Sequence, residues 1–200
     1  MSSTGLIVGI TGATGAIYGV HLLERLRELE VPTHLILSPW GKRTIEHETS
    51  FTVKQVHDLA TTVEGYNDMG ATLSSGSFET AGMVVAPCSM KTLAGIRVGL
   101  ADNLIARAAD VALKERRRLV LVVRETPLNQ VHLKNMLELA KMGVVIFPPV
   151  PSFYNRPTTL DEVVDYTTAR VLDQLDIRAP RDDRWDGVLR GRSNDSDVTG

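Results

Sequence analysis

A single cysteine, Cys88, among 200 residues excludes an internal disulfide and any cysteine-based metal cluster, and it suits a reducing compartment. No apolar run approaches the roughly 18 residues of a membrane span, and Met1-Ser2-Ser3-Thr4 lacks the charged-then-apolar pattern of an export signal. Charge of neither sign prevails: 22 Lys and Arg against 24 Asp and Glu leave −2 at pH 7. Nothing therefore draws the chain broadly to nucleic acid or to an anionic membrane, and its basic residues are read as local anion contacts. The five histidines, at 21, 34, 47, 57 and 132, have no paired ligand spacing, so no protein-bound catalytic metal is expected. Internal repeats and low-complexity segments are missing too. The expectation is a cytoplasmic protein with small-molecule partners.

What is present suits one globular domain: 43% hydrophobic residues can form a sizeable core at this length. The organising stretch is Leu6 to Gly19. Its apolar run Leu6 to Ile10 reads as a strand buried on both faces, stopping at Thr11-Gly12. From Ala16 to Leu29, apolar Val20, Leu23, Leu26 and Leu29 alternate with charged residues at helical spacing. A strand, a glycine turn and a helix start together offer unpaired N–H groups and a positive dipole end, the combination that binds phosphate. The alternative is a turn whose glycines serve packing alone. Gly9, Gly12 and Gly15 do not form the dinucleotide fingerprint, and the second strand ends in Ser38-Pro39-Trp40 where a dinucleotide site wants an acid. None of the four tyrosines has a lysine four residues later, as short-chain reductases would. A mononucleotide fits better.

Further strands are expected at 33–37, 82–86, 119–123 and 144–147, and helices at about 41–48, 53–60, 102–117, from a cap at Asn129 through Leu139, and at 159–175. The polar span 49–77 reads as functional surface. Alternation of strands and helices predicts an α/β fold, a single-domain, doubly wound, mainly parallel sheet. Residues 1–178 form this domain, and the polar tail 179–200 lacks periodicity and reads as loose or laid on a neighbouring protomer. Because the tail and the 49–77 span have little core of their own, a homo-oligomer is expected.

Ligands of such sheets sit beyond the carboxyl ends of the strands, and four strand exits carry anion donors: Thr11 to Thr14, Ser38, Ser89 to Thr92, and Arg124-Glu125. A guanidinium directly after Leu-Val-Leu-Val-Val can clamp phosphate, and the adjoining carboxylate can move a proton. Arg107 and Lys114 are seven apart on one predicted helix and share a face with Asp110, which is also what a solvated face with a salt bridge looks like. Cys88 follows Pro87 without an obvious base and reads as a packed thiol.

Thr11-Gly-Ala-Thr-Gly-Ala16, Pro87-Cys-Ser-Met-Lys-Thr92, the run Asn103 to Arg116, Val123-Arg-Glu-Thr-Pro127 and Phe153-Tyr154 together resemble the UbiX family of flavin prenyltransferases, from about Leu6 to Trp185. Ser38-Pro-Trp40, Ser74-Ser-Gly-Ser-Phe78, Tyr154-Asn-Arg-Pro157 and Arg184-Trp185 are similar to the branch of that family that accompanies bacterial hydroxyarylic (phenolic) acid decarboxylases. The resemblance implies FMN contacts at Gly12, Ala13, Thr14, Ser38, Ser89, Met90, Lys91, Thr92 and Arg124. It implies prenyl phosphate ligands at Arg107, Lys114, Tyr154 and Arg170, with Trp185 at the family's tail tryptophan. Glu48 and Glu125 fall at its acidic positions, and with Lys114 and Thr14 they make the catalytic set. Thr14 stands where many members have serine; the hydroxyl survives and a methyl is added.

The implied reaction joins the dimethylallyl group of dimethylallyl phosphate to N5 and then C6 of reduced FMN, giving prenylated FMN for a UbiD-like decarboxylase, without metal. The implied assembly is a dodecamer built from trimers, with sites at the junctions between protomers. Two other readings stay open: a non-catalytic FMN-binding component of a decarboxylase complex, and a flavin-dependent decarboxylase. His21, on the helix body, is misplaced for the latter.

Overall fold

The computed structural model describes residues 4–178; the tail and Trp185 lie outside the described residues. Its centre is one sheet in the order β3-β2-β1-β4-β5-β6, formed by Leu6–Ile10 (β1), Thr33–Leu37 (β2), Thr62–Glu64 (β3), Gly82–Cys88 (β4), Leu119–Val123 (β5) and Val145–Ile146 (β6). Every neighbouring pair is parallel. The order reverses between β1 and β4, which makes their carboxyl ends the switch point of the sheet. Helices Ala16–Glu28 (α1), Pro39–Glu48 (α2), Val53–Leu59 (α3), Met90–Val98 (α4), Leu104–Lys114 (α5), Gln130–Lys141 (α6) and Leu160–Gln174 (α7) complete the fold.

The apolar runs read as strands are buried on both faces because two cores divide their side chains by alternation. Leu6, Val8 and Ile10, with Leu35, Leu37, Val84, Val120 and Val122, pack under α1, α2, α3 and α7. Ile7, Ile36, Met83, Val85, Leu119, Leu121 and Val123 pack against α4, α5 and α6. In α5 the side chain of Asn103 accepts from the Ala106 amide at 3.0 Å, and Leu104, Ile105, Ala108, Val111 and Ala112 are buried as the stripe predicts.

The structure corrects the sequence reading in four places, the first a helix without an expected counterpart, α4 at Met90–Val98. The 49–77 span holds a sixth strand, β3, whose residues pair with His34–Ile36 of β2; three residues at a sheet edge are too few to show a period of two. α2 begins at Pro39, which needs no amide partner at the first helical position, with Ser38 as its cap. The strand read as 144–147 shortens to β6, Val145–Ile146.

Candidate functional site

The carboxyl edge is laced together by hydrogen bonds running from strand exit to strand exit. The Ser38 amide donates to the Ile10 carbonyl (3.0 Å), the Thr11 amide to that of Pro87 (3.3 Å) and the Arg124 amide to that of Cys88 (3.3 Å). Thr11, buried, does most: its hydroxyl donates to the Pro87 carbonyl at 2.7 Å and accepts from the Ser89 amide at 2.9 Å. Proline inside a central strand has no N–H for the ladder, and the β4–β5 register shifts between Val85 and Cys88.

Helices α1, α2 and α4 start at this edge, two of them capped alike and the third from a distance. Ser38 Oγ accepts from the Gly41 amide at 2.9 Å and Ser89 Oγ from that of Thr92 at 3.3 Å, the serine caps of α2 and α4. α1 has no side-chain cap of its own, because its cap position is Gly15 in the left-handed region at φ 93°. A carboxylate from the far end of α2 takes the place: Glu48 Oε2 accepts from the amides of Gly15 (2.8 Å) and Ala16 (3.0 Å). This corrects the expectation that those α1 amides wait for phosphate. It also gives Glu48 a fixed position that nothing local in the sequence signals. Gly12 is exposed, and a side chain there would strike Trp40. What the turn offers is the exposed stretch around Gly12 and Thr14, with Ser38 beside it and Met90, Lys91 and Thr92 in the first turn of α4.

Arg124 is exposed and, among the described residues, has no acidic partner. Its charge acts on Tyr18 of α1, where burial pushes the phenol up and Arg124 opposes it. Glu125, also exposed, accepts the Thr126 amide at 3.0 Å. Cys88 is fully buried, its thiol pushed well up by desolvation, so it is packing material and no nucleophile.

The remaining predicted residues form two separate groups. Tyr154, on the short 3-10 turn Phe153–Asn155, is hydrogen bonded through its hydroxyl to that of Tyr166 on α7. Arg170, one turn further along α7, donates to Asp173 at 2.6 Å and acts electrostatically on both phenols. Arg107 donates to the Ser74 carbonyl at 3.1 Å and to Asp110 at 2.8 Å, and Lys114 pairs with Glu115. Lys114 ends α5, which brings the chain back to the amino edge where β5 starts at Leu119. The five residues of β5 span about 16 Å, so Lys114 lies at the opposite edge of its own sheet from Arg124. Sequence reasoning missed Tyr166, whose spacing of four from Arg170 on one helix was the available signal.

Serine-capped helix starts, an exposed glycine turn and, next to the switch point, a guanidinium without an acidic partner among the described residues define the class: an α/β protein built for a phosphate-bearing mononucleotide. The chain belongs to the flavoprotein family, whose model matches residues 1–172, and within it to the UbiX-like flavin prenyltransferases. It is 60% identical over 183 residues to a probable UbiX-like flavin prenyltransferase of Bacillus subtilis (strain 168), covering 92% of this chain and 90% of that one. It is similar to a crystal structure of AnUbiX (PadA1) in complex with FMN and dimethylallyl pyrophosphate, at 52% identity and TM-score 0.87, covering 88% and 94% of the two chains. It is likewise similar to a dodecameric FMN-dependent UbiX-like decarboxylase from Escherichia coli O157:H7, at 57% identity and TM-score 0.90, covering 92% and 100%.

Two outcomes follow from this geometry. Thr11→Val keeps the volume but leaves the Ser89 amide without its acceptor; urea unfolding should show a loss of about 1–3 kcal/mol, and unchanged stability would mean the bridge is idle. Native protein should react with a thiol reagent at pH 8 far more slowly than protein in urea, and comparable rates would contradict the buried, raised thiol.

Proposed function

We propose that this chain transfers the dimethylallyl group of dimethylallyl phosphate to reduced FMN, at N5 and then C6, to make prenylated FMN for a UbiD-like decarboxylase. The observation that carries the reading is Arg124, a cation without an acidic partner among the described residues, at the exit of β5 next to the switch point and its hydroxyl- and amide-lined exits at Thr14, Ser38 and Ser89. That donor set fits a flavin mononucleotide: Gly12, Ala13, Thr14, Ser38 and Ser89 to Thr92 would hold it with neutral donors, and Arg124 would meet its negative charge. Reduced FMN, when bound, supplies the nucleophile. The protein's work is then to hold and discharge the phosphate ester and to move protons. Arg107, Lys114 and Arg170, with the Tyr154 hydroxyl, suit a departing phosphate, since fixed cations and donors stabilise charge that develops on the leaving group. Glu48, held at the α1 start, and Glu125 are carboxylates fixed at the reacting edge, where a base for ring protons is needed.

Those phosphate ligands come from α5, from the middle of the loop before α7, and from α7 itself, and Lys114 lies at the opposite edge of its own sheet from the cradle. In this reading the site is completed between protomers of a homo-oligomer, a dodecamer like the Escherichia coli relative. The proposed domain is residues 1–178; the 179–200 tail with Trp185 lies outside the described residues. No described helix is long and apolar enough to cross a membrane, and the proposed place of action is the cytoplasm.

Mass spectrometry of flavin recovered after anaerobic incubation with reduced FMN and dimethylallyl phosphate should show a species heavier by one prenyl unit; recovery of unmodified FMN alone would overturn the proposal. Arg124→Ala should weaken FMN retention about tenfold to a hundredfold, as loss of a charge-assisted contact does. Glu125→Gln should retain FMN and slow product formation about 10²- to 10⁴-fold; product at the unaltered rate would remove Glu125 from the catalytic set.

A further inference from the structure

Tyr154 is the one predicted phosphate ligand carried on a loop. Residues 148–159 make no helix or strand beyond the three-residue turn at 153–155, which ends at Arg156 in the left-handed region with φ 52°. Tyr154 itself is half exposed. Its loop meets α7 at two points. Near the helix start, Thr158 donates to Glu162 through its amide (2.5 Å) and its hydroxyl (3.1 Å). One turn on, Tyr166 meets Tyr154 hydroxyl to hydroxyl, with the rings edge to face and their centroids 6.2 Å apart. Tyr166 is the more buried of the two and stands on a helix packed against α1, so it is the fixed member of the pair.

We propose that Tyr166 is a positioning residue for the prenyl phosphate site: its hydroxyl donates to Tyr154 Oη, which turns the single Tyr154 proton toward the phosphate beside Arg170. The inference rests on the reading that Tyr154 and Arg170 receive the phosphate of dimethylallyl phosphate. A tyrosine hydroxyl has one proton to give and can accept while giving it. A row of Tyr166 donating to Tyr154 and Tyr154 donating to phosphate therefore uses each proton once, and each bond polarises the next. It also fixes in advance a side chain that would otherwise lose its loop freedom on binding. The ligand-free arrangement can run the other way, with Tyr154 donating to Tyr166, and the row reverses by rotation of two hydroxyls without movement of either ring.

The pair titrates as a unit. At Tyr166 burial pushes the phenol up, but hydrogen bonds from Tyr154 and Ser152 and the charge of Arg170 outweigh it and bring it below the ordinary tyrosine value; Tyr154 is raised, first by its bond to Tyr166. The first proton lost on raising pH is thus lost from the pair. Among the described residues, Arg170, paired with Asp173, is the charge that acts on both phenols; Glu162 of α7 engages Thr158, Arg156 follows in the loop, and from α1 His21 and Arg25 engage the adjoining Asp165. Losing one proton from the pair breaks the row of donors and places a negative charge beside the phosphate, so phosphate affinity should fall on the alkaline side.

The test uses the full chain loaded with FMN and titrated with dimethylallyl phosphate. Tyr166→Phe should raise Kd and KM about five- to tenfold, the loss of one hydrogen bond, with FMN affinity unchanged. It should move the alkaline limb of phosphate binding upward, toward the ordinary tyrosine range. In a Tyr154→Phe background it should change nothing further, because the hydroxyl it positions is gone. 3-Fluorotyrosine at 166 keeps size and fold, acidifies the phenol, and should move the same limb downward. An unchanged limb in both variants, or effects of Tyr166→Phe that add to those of Tyr154→Phe, would overturn the inference while leaving the site in place. If Tyr154→Phe and Arg170→Ala themselves leave dimethylallyl phosphate affinity untouched, the site reading falls first and this inference with it.

Discussion

The Pro87 carbonyl, accepting both the amide and the hydroxyl of Thr11, is the contact on which the carboxyl edge depends. β1 and β4 run in register only as far as Gly9 and Val85, and beyond that point the proline can contribute no N–H. Without a substitute the two strands would part where the order of the sheet reverses. Thr11 supplies the substitute and continues it to the Ser89 amide, so the exit of β1 and the start of α4 are set by one buried side chain. A hydroxyl with both functions satisfied in a buried place is rigid by the cost of the alternatives. That rigidity sets the spacing between the glycine turn and the α4 start, and hence the shape of any ligand that touches both.

The second constraint is electrostatic. Three helix starts converge at this edge, and their aligned peptide dipoles favour negative charge there. One is already answered: Glu48 lies on the first amides of α1, at distances of 2.8 and 3.0 Å. The starts of α2 and α4 are capped by neutral serines and Arg124 is unopposed, so the positive potential is displaced toward Ser38, Ser89 and Arg124. An anion binding here is directed to that side of the turn. The carboxylate of Glu48, fixed at the other side, remains close to the edge without competing for the same cations.

Much of this was legible in the sequence. Buried parallel strands advertise themselves as unbroken aliphatic runs, and β1, β2, β4 and β5 were found within a residue or two. The helix stripes followed from spacing, and the strand-exit residues from the rule for open sheets. What stayed hidden depends on distance along the chain rather than on local pattern. β3 is three residues long and exists because β2 offers it an edge. Glu48 caps a helix 33 residues earlier, and an acid at the end of α2 looks like surface until the fold brings it round. Tyr166 shares a helix face with Arg170, but its pairing with Tyr154 was hidden for the same reason: that partner sits on an irregular loop whose path no periodicity predicts.

The direction of the helices decides how the proposed site is assembled. In a right-handed parallel fold each helix carries the chain from the carboxyl edge back to the amino edge. A cation on the last turn of such a helix is therefore delivered to the wrong side of its own sheet. Lys114 is in that position, and within the protomer it is neutralised by Glu115 while Arg107 is held by Asp110 and the Ser74 carbonyl. Arg170 likewise sits towards the end of α7, whose last turn is held by Arg118 at the start of β5 through the Gln174 carbonyl at 2.7 Å. The cradle proposed at the carboxyl edge and the phosphate ligands proposed along α5 and α7 thus lie on separate surfaces of one chain. Copies of the chain placed side by side can bring them together. In the proposed assembly each protomer would lend cations to a neighbour's cradle, and phosphate-ester chemistry would be confined to the assembled form.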